Sequence, residues 1–139
     1  MKVKDVMHKG ATWVESSTPV AKVAKRMRSE DIGAIPIGEN DRIVGMVTDR
    51  DICCRVLGSR RDIGDLTARD VMTRPILYCK ADDDVGSAIA IMKKGKVRRL
   101  PVINAKKRLV GMLSLGDVSA KASRETSGAT LKALAAHHG

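Results

Sequence analysis

The chain contains the seven-residue segment Gly45-Met46-Val47-Thr48-Asp49-Arg50-Asp51. The same pattern recurs later as Gly111-Met112-Leu113-Ser114-Leu115-Gly116-Asp117. In both copies apolar residues follow a glycine, a hydroxyl side chain follows them, and a carboxylate stands three positions after the hydroxyl. Two copies of one compound pattern predict an internal duplication of the chain.

The similarity extends in both directions from these two segments. At an offset of 65 residues, residues 4–7 (KDVM) match residues 69–72 (RDVM), and residues 35–37 (IPI) match residues 100–102 (LPV). The offset then becomes 66, because the polar stretch between Pro101 and Gly111 in the second copy has one more residue than the stretch between Pro36 and Gly45 in the first. Turns tolerate such insertions, so we expect a turn at this place in each repeat.

Each repeat predicts the same order of elements. Apolar residues at helical spacing predict an inward-facing helix in both copies, formed by Val20, Val23, Ala24 and Met27 and by Val85, Ala88, Ile89 and Met92. We expect Thr18, before Pro19, and Asp83 to cap these helices. A hairpin and a second helix follow, so each repeat reads β-α-β-β-α when the extended stretch around Trp13 or Tyr78 is counted as its first strand. The expected fold is therefore α+β, with tandem repeats that form a pseudo-two-fold pair.

The repeats and their connections predict four regions. We expect a first repeat at residues 1–58, a connecting segment at 59–67 and a second repeat at 68–122. Residues 123–139 form a C-terminal tail, which we expect to be partly mobile and to include a short helix near its end.

Composition limits the class of protein. The chain has 139 residues and a formal net charge of +10, and 43% of its residues are apolar, which is too many for a disordered chain. Its apolar runs are too short to span a bilayer, and its N-terminus lacks the apolar core of a secretory signal. We therefore expect a cytoplasmic protein that does not enter a membrane.

The sequence contains no recognisable catalytic or metal-binding motif. Three cysteines, two of them adjacent, are neither a disulfide framework nor a zinc pattern, and buried thiols are the simplest interpretation of Cys53, Cys54 and Cys79. The sequence also lacks a Walker-type loop and a Ser-His-Asp or Cys-His pair in a recognisable arrangement. We expect no metal site and no enzymatic activity.

The repeated seven-residue segment suggests a chemistry of its own. At a junction between a strand and a helix, a hydroxyl group and the first free amides of the helix can donate hydrogen bonds to a phosphate. A carboxylate only accepts hydrogen bonds, and its two oxygens suit the paired hydroxyls of a ribose. The alternative is that Thr48 and Ser114 are ordinary helix caps and that Asp51 and Asp117 are ordinary acids of a first helical turn.

The glycine–hydroxyl–acid segment, the apolar-Pro-apolar strand and the Asp-Val-Met opening together resemble the cystathionine β-synthase (CBS) domain. The tandem arrangement resembles a Bateman module, in particular the small free-standing bacterial CBS pairs, and the likeness covers residues 3–122. This resemblance implies a two-fold disc with two clefts that bind AMP, ADP, ATP or S-adenosylmethionine. It also implies a homodimer.

The resemblance further implies that each cleft combines the acid of one repeat with the first strand and the Pro-containing strand of the other. The first predicted site consists of Thr48, Arg50, Asp51, Ile76, Leu77, Tyr78, Val97, Arg98, Arg99 and Pro101. The second predicted site consists of Ser114, Gly116, Asp117, Thr12, Trp13, Val14, Ile32, Gly33, Ala34 and Pro36. Apolar residues would hold the adenine, and the rings of Tyr78 and Trp13 either stack on it or point away.

The two predicted sites differ in charge. Arg98 and Arg99 belong to the first site, whereas Gly33 and Ala34 stand at the same places in the second. We expect the first site to take a di- or triphosphate and the second to take a less charged adenosyl ligand or to stay empty. Arg50 is bulky and either clamps a phosphate or obstructs the first site.

The sequence therefore predicts a regulatory module that senses an adenosine nucleotide, AMP, ADP or ATP, and acts on an effector protein in trans. S-adenosylmethionine is the weaker candidate ligand. One alternative is a nucleic-acid-binding protein, because Lys93 to Arg99 form a basic run. Another alternative is a degenerate CBS pair that serves as a ligand-free dimeric scaffold.

Overall fold

The computed structural model describes residues 1–74 and 76–121. The predicted C-terminal tail at 123–139, with its short helix, lies outside the described residues. The chain divides into two compact units. One unit consists of Met1–Ala11 together with the described residues from Leu77 onward, and the other consists of Thr12–Ile76. We call them the 77–121 unit and the 12–76 unit.

Twelve strands and α-helices follow one another along the described chain. The strands are β1 (His8–Lys9), β2 (Val14–Glu15), β3 (Ala34–Glu39), β4 (Arg42–Thr48), β5 (Cys79–Lys80), β6 (Arg99–Ile103) and β7 (Leu109–Ser114). The helices are α1 (Val20–Glu30), α2 (Asp49–Arg55), α3 (Ala68–Val71), α4 (Val85–Gly95) and α5 (Leu115–Lys121). Single 3₁₀ turns are present at Val3–Asp5, Leu57–Ser59 and Ile63–Asp65.

Each unit has its own small sheet. In the 12–76 unit the strand order is β2-β3-β4, with β2 parallel and β4 antiparallel to β3. In the 77–121 unit the order is β1-β7-β6-β5, with β5 parallel to β6 and the other pairs antiparallel. This mixture of helices and strands in two repeats confirms the predicted fold class.

The predicted helix faces are buried. Helix α1 buries Val20, Val23 and Met27, and α4 buries the corresponding stripe with Ala88 and Ile89. Each unit has a separate apolar core of mainly Val, Ile, Leu, Met and Ala side chains. No helix in the described residues is long and apolar enough to cross a bilayer.

The helix caps are not where the sequence predicted them. Helix α1 begins after Pro19, and no side chain caps it; the residue before α4 is Asp84, which makes no capping bond either. Asp83 instead accepts a hydrogen bond from the Lys80 amide at 2.9 Å and closes a turn. The carbonyl of Thr18 accepts from the Ala68 amide at 2.8 Å, so this residue joins another segment.

The two hairpins differ at the inserted residue. Strands β3 and β4 are joined by only Asn40 and Asp41, both with positive φ (49° and 63°), as a tight two-residue turn requires. Strands β6 and β7 are joined by residues 104–108. There the Asn104 side chain accepts hydrogen bonds from the amides of Lys106 and Arg108 at 2.9 and 3.0 Å.

Each unit incorporates the segment that opens the other sequence repeat. The amides of Val3 and Lys4 donate to the carbonyls of Asp83 and Ala81 at 2.8 and 2.9 Å, and Val3 is fully buried in the core of the 77–121 unit. At the equivalent place in the 12–76 unit, Ala68 and Arg69 donate to Thr18 and Ser16 at 2.8 and 3.0 Å. We call residues 1–11 and 66–76 the exchanged segments. The compact units are therefore divided differently from the sequence repeats.

Only one of the three cysteines is buried. Burial raises the pKa of Cys79 to about 12 and keeps it a neutral thiol. Cys53 and Cys54 are exposed, so the expectation of buried thiols is wrong for this pair. The buried side of the chain here is formed by their neighbours Ile52 and Val56, which pack with the core of the 12–76 unit.

The exchanged segments leave no room for a side chain at two equivalent glycines. A Cβ at Gly111 would collide with the backbone carbonyl of His8, and one at Gly45 would lie 2.6 Å from the sulfur of Met72. Because a methionine side chain can move and a paired strand cannot, we expect Gly111→Ala to cost about 2–3 kcal/mol and Gly45→Ala about 1 kcal/mol. Urea unfolding of both variants measures the difference. Equal costs would contradict this packing.

An ion pair fastens the first exchanged segment. Lys4 lies 3.0 Å from Asp82, and its ammonium group holds the pKa of that carboxyl below its ordinary value. The stability from this pair is present above the unfolded pKa, near 3.8, and is lost as the pH falls through the lower folded pKa. We therefore expect Asp82→Asn to be slightly less stable than wild type at pH 6 and equal to it near pH 2. Urea unfolding at the two pH values tests this, and a difference that persists in acid would contradict it.

Candidate functional site

Both seven-residue segments form the junction between a strand and the following helix. The Thr48 amide donates to Asp51 Oδ2 at 2.9 Å, and the Asp51 amide donates to Thr48 Oγ1 at 3.1 Å. Ser114 and Asp117 form the same reciprocal pair at 3.2 and 3.0 Å. Both pairs are capping boxes, which confirms the interpretation of these residues as helix caps. Each hydroxyl only accepts in this arrangement, so its proton remains available to a ligand.

The carboxylate of Asp51 is engaged by other protein groups. Thr73 Oγ1 lies 3.1 Å from its Oδ1 and 3.3 Å from its Oδ2, and Arg55 Nε lies 3.6 Å from its Oδ1. Thr73 belongs to the second exchanged segment, which pairs with Met46 next to the junction. The side chain of Asp51 is 12% exposed. A ribose at this junction would have to share an acid that already has three partners.

The carboxylate of Asp117 is more open. Its Oδ2 accepts from the Ser114 amide, and no described residue donates to its Oδ1. The position equivalent to Thr73 holds His8, which pairs with Met112 in the sheet. Within residues 1–74 and 76–121, Asp117 therefore has fewer hydrogen-bond donors than Asp51 has.

The amide of the second helical residue also has fewer partners in the 77–121 unit than in the 12–76 unit. In the 12–76 unit the Arg50 amide donates to the Asp49 carboxylate at 2.9 Å. In the 77–121 unit a buried Leu115 replaces this acid, and the amide of Gly116 has no partner within the part of the chain that the structure describes. The second junction therefore has one carboxylate, that of Asp117, where the first junction has two, those of Asp49 and Asp51.

The Pro-containing strand of each repeat lies beside its own junction. Ala34 pairs with Thr48 across the hairpin, and Arg99 pairs with Ser114 in the same register. The Leu115 amide donates to the carbonyl of Arg98 at 3.0 Å. Two arginines therefore flank the junction of the 77–121 unit, whereas Gly33 and Ala34 are uncharged.

The remaining predicted site residues are divided between the units. The 12–76 unit holds Thr12, Trp13, Val14, Ile32, Pro36 and Ile76, and the 77–121 unit holds Leu77, Tyr78, Val97 and Pro101. Trp13 and Tyr78 are 40% and 44% exposed, and the ring of Trp13 packs against Gly38. Both predicted groups draw on residues of the two units, so these groupings stay predictions.

Sequence reasoning missed three polar residues at the junction of the 12–76 unit, Thr73, Arg55 and Asp49. It also missed Glu30 at the end of α1, which accepts hydrogen bonds from Thr12 and Arg26, both at 2.8 Å. These two donors lower the pKa of Glu30. The Arg26–Glu30 pair has the i,i+4 spacing of a helix and was readable from the sequence, whereas the contact of Thr73 with Asp51 depends on the segment exchange.

The described residues contain no group of three or more His, Cys, Asp or Glu side chains that could hold a metal ion.

The arrangement of two repeats and two capped junctions matches one known family. Residues 3–58 and 68–123 each match the CBS domain. The chain belongs to the CBS domain family, as a tandem pair.

Among its relatives, hypoxic response protein 1 of Mycobacterium tuberculosis is 37% identical over 117 residues, which are 84% of this chain and 81% of that protein. The crystal structure of Hypoxic Response Protein I, which has two coordinated zinc ions, superposes with a TM-score of 0.77 at 36% identity and covers 86% of this chain and 98% of that one.

A second solved structure bears on ligands. The CBS domain pair of protein MJ0100, in complex with 5′-methylthioadenosine and S-adenosyl-L-methionine, superposes with a TM-score of 0.77 at 26% identity and covers 86% of this chain and 94% of that one.

The unequal partners of the two acids predict unequal structural costs. Asp117→Ala removes one capping box, which costs about 1 kcal/mol. Asp51→Ala removes the equivalent box together with the Thr73 and Arg55 contacts, so we expect a loss of about 2 kcal/mol. Urea unfolding without ligand measures both values. Equal losses would show that the Thr73 contact contributes nothing to stability.

Proposed function

We propose that this chain is a stand-alone CBS pair that binds an adenosine nucleotide and acts as an energy or ligand sensor on an effector protein in trans. The observation that carries the proposal is the junction of the 77–121 unit, where Asp117 Oδ1 has no donor among the described residues and lies beside a hydroxyl and an amide. The complex of the MJ0100 domain pair with two adenosyl compounds supports the ligand class.

The sugar of the nucleotide is held by a carboxylate. A ribose presents two adjacent hydroxyls as donors, and an ionised acid accepts them without a competing proton of its own. Asp117 Oδ1 offers this acceptor without displacing a protein group, whereas Asp51 would have to loosen its bonds to Thr73. We therefore infer that Asp117 is the principal ribose acceptor.

The phosphates are held by donors next to the same acid. Ser114 keeps its hydroxyl proton free, Gly116 offers its amide, and Arg99 stands directly across the hairpin from Ser114. Arginine binds phosphate oxygens through charge-assisted hydrogen bonds, which are stronger than neutral ones. Nucleotides with more than one phosphate, ADP or ATP, are therefore the favoured ligands.

This assignment differs from the crosswise grouping that the resemblance implies. That grouping associates the two arginines with Asp51, and it makes Asp51 the acid of the phosphate-rich site. The geometry within the 77–121 unit favours Asp117 instead, because the same hairpin positions Arg99, Ser114 and Asp117. The two assignments rank the acids in opposite order, so one titration distinguishes them.

Isothermal titration of ATP tests the proposal. We expect Asp117→Ala to weaken ATP binding at least tenfold, because it removes the ribose acceptor, and Asp51→Ala to weaken it less than threefold. Asp65→Ala, an exposed acid in the 3₁₀ turn at Ile63–Asp65, is the control for the loss of one negative charge and should bind like wild type.

Other results have distinct meanings. A larger loss in Asp51→Ala would support the crosswise grouping, and equal losses would refute the inequality of the junctions. If the wild type bound none of AMP, ADP, ATP and S-adenosylmethionine, the sensor proposal would fail in favour of a ligand-free scaffold. Release of phosphate from ATP in the same samples would contradict a purely regulatory role.

Regulation follows from binding to one conformation in preference to another. A ligand shifts a conformational equilibrium only by its difference in affinity for the two states. We propose that the chain forms a homodimer and that occupancy of the junction exposes or hides a surface for the effector.

A further inference from the structure

The net charge of the protein is concentrated in one stretch. Residues 91–110 contain eight Lys or Arg residues and no acid, while the whole 12–76 unit contains eleven basic and ten acidic residues. The repeat equivalent of this stretch, residues 26–44, contains three arginines and four acids. Both stretches form the end of a helix, a hairpin and its turn. The fold therefore does not require the positive charge.

Most of these cations are exposed and unpaired. Within the described residues, the side chains of seven of them make no ion pair and no hydrogen bond. We call these seven the basic surface: Lys93, Lys94, Lys96, Arg99, Lys106, Lys107 and Arg108. Elsewhere, Lys4, Arg26, Arg55 and Arg69 each have a carboxylate partner.

Two of the lysines occupy conformations that favour other residues. Lys96 and Lys107 have positive φ values of 55° and 62°, a region that Gly, Asn and Asp adopt more readily. At the equivalent positions Asp31 and Asp41 have nearly the same φ values, 53° and 63°. The second repeat therefore has lysine where the backbone favours a residue such as the aspartate of the first repeat. Residues held in unfavourable conformations are a reason to look for function.

The basic surface has two groups of cations. Lys93, Lys94, Lys96 and Arg99 surround the start of β6, and residues 106–108 lie in the turn beyond its end. The five residues of β6 span roughly 13 Å at about 3.3 Å per residue. A mononucleotide carries its phosphates at one end, whereas a nucleic-acid strand presents a phosphate about every 3.4 Å of helix axis and so offers phosphates to both groups at once.

The composition of the surface distinguishes it from other docking sites. No large apolar side chain in residues 91–110 is exposed, whereas protein interfaces have an apolar core and membrane-binding helices have an apolar face. We propose that the basic surface binds the phosphate backbone of a nucleic acid, without reading its sequence. The basic surface shares Arg99 with the proposed nucleotide site. It needs neither Asp51 nor Asp117, and Lys96 and Lys107 have no part in the proposed nucleotide site.

Fluorescence anisotropy of the full chain with a labelled 20-base-pair DNA of random sequence, at several salt concentrations, tests this proposal. The variant Lys96→Asp/Lys107→Asp introduces the residues that the first repeat has at the same φ values, so the fold should persist. We expect it to bind DNA at least tenfold more weakly at low salt and to reduce the salt slope by about two. The control Lys22→Glu/Lys25→Glu has the same change in net charge on the exposed side of α1 and should stay within twofold of wild type.

Three results would overturn the proposal. An equal loss of affinity in the control variant and the test variant would show that net charge alone attracts the DNA. A wild type without salt-dependent binding at low ionic strength would show that the surface does not bind DNA. Competition by poly-glutamate as strong as that by DNA of equal charge would identify an acidic polypeptide as the partner. Thermal shifts with ATP on the same variants report the adenosine site independently.

Discussion

Each compact unit completes its core with a segment from the other sequence repeat. A repeat of about 60 residues buries only about 60% of the surface that its unfolded chain exposes and is marginally stable by itself, so an added strand or helical turn changes whether its core is sufficient. Val3 and Val6 are at most 1% exposed in the 77–121 unit, and Ala68 and Val71 are fully buried in the 12–76 unit. Neither core is complete without its exchanged segment, and the tandem duplication is therefore a requirement of this fold.

The same exchange determines what lies next to each acid. The exchanged segments pair with the strand that leads into the junction, so they bring Thr73 to Asp51 and His8 to the equivalent place in the other unit. The two capping boxes have nearly the same geometry, and the differences lie in residues outside the repeated motif. Divergence in a segment distant in sequence can thus change one junction without altering its backbone.

The sequence predicted the helices and hairpins, but it did not predict which distant segments of the chain they contact. Helical spacing and the alternation of apolar residues predicted α1, α4 and both hairpins, because burial of one face sets those patterns. The exchange was not predicted, because many of its hydrogen bonds join backbone groups, which every residue has, and its side-chain contacts join residues distant in sequence. Thr73 was missed as a neighbour of Asp51 because 22 positions separate the two residues. Thr18 has the residue type of a cap, but its neighbours in space assign it another role.

Comparison of the two repeats distinguishes residues that the fold requires from residues that it does not require. Asp31 and Lys96 end equivalent helices with the same backbone conformation, and Asp41 and Lys107 occupy equivalent turns. Since residues 26–44 and 91–110 form the same elements but differ in charge, folding does not explain the basic residues of the second stretch. Binding of an adenosine nucleotide explains only the arginines beside Ser114, because the hairpin turn is a full strand length away. The cations of that turn are the ones that an anion with phosphates spaced along its length would contact in addition.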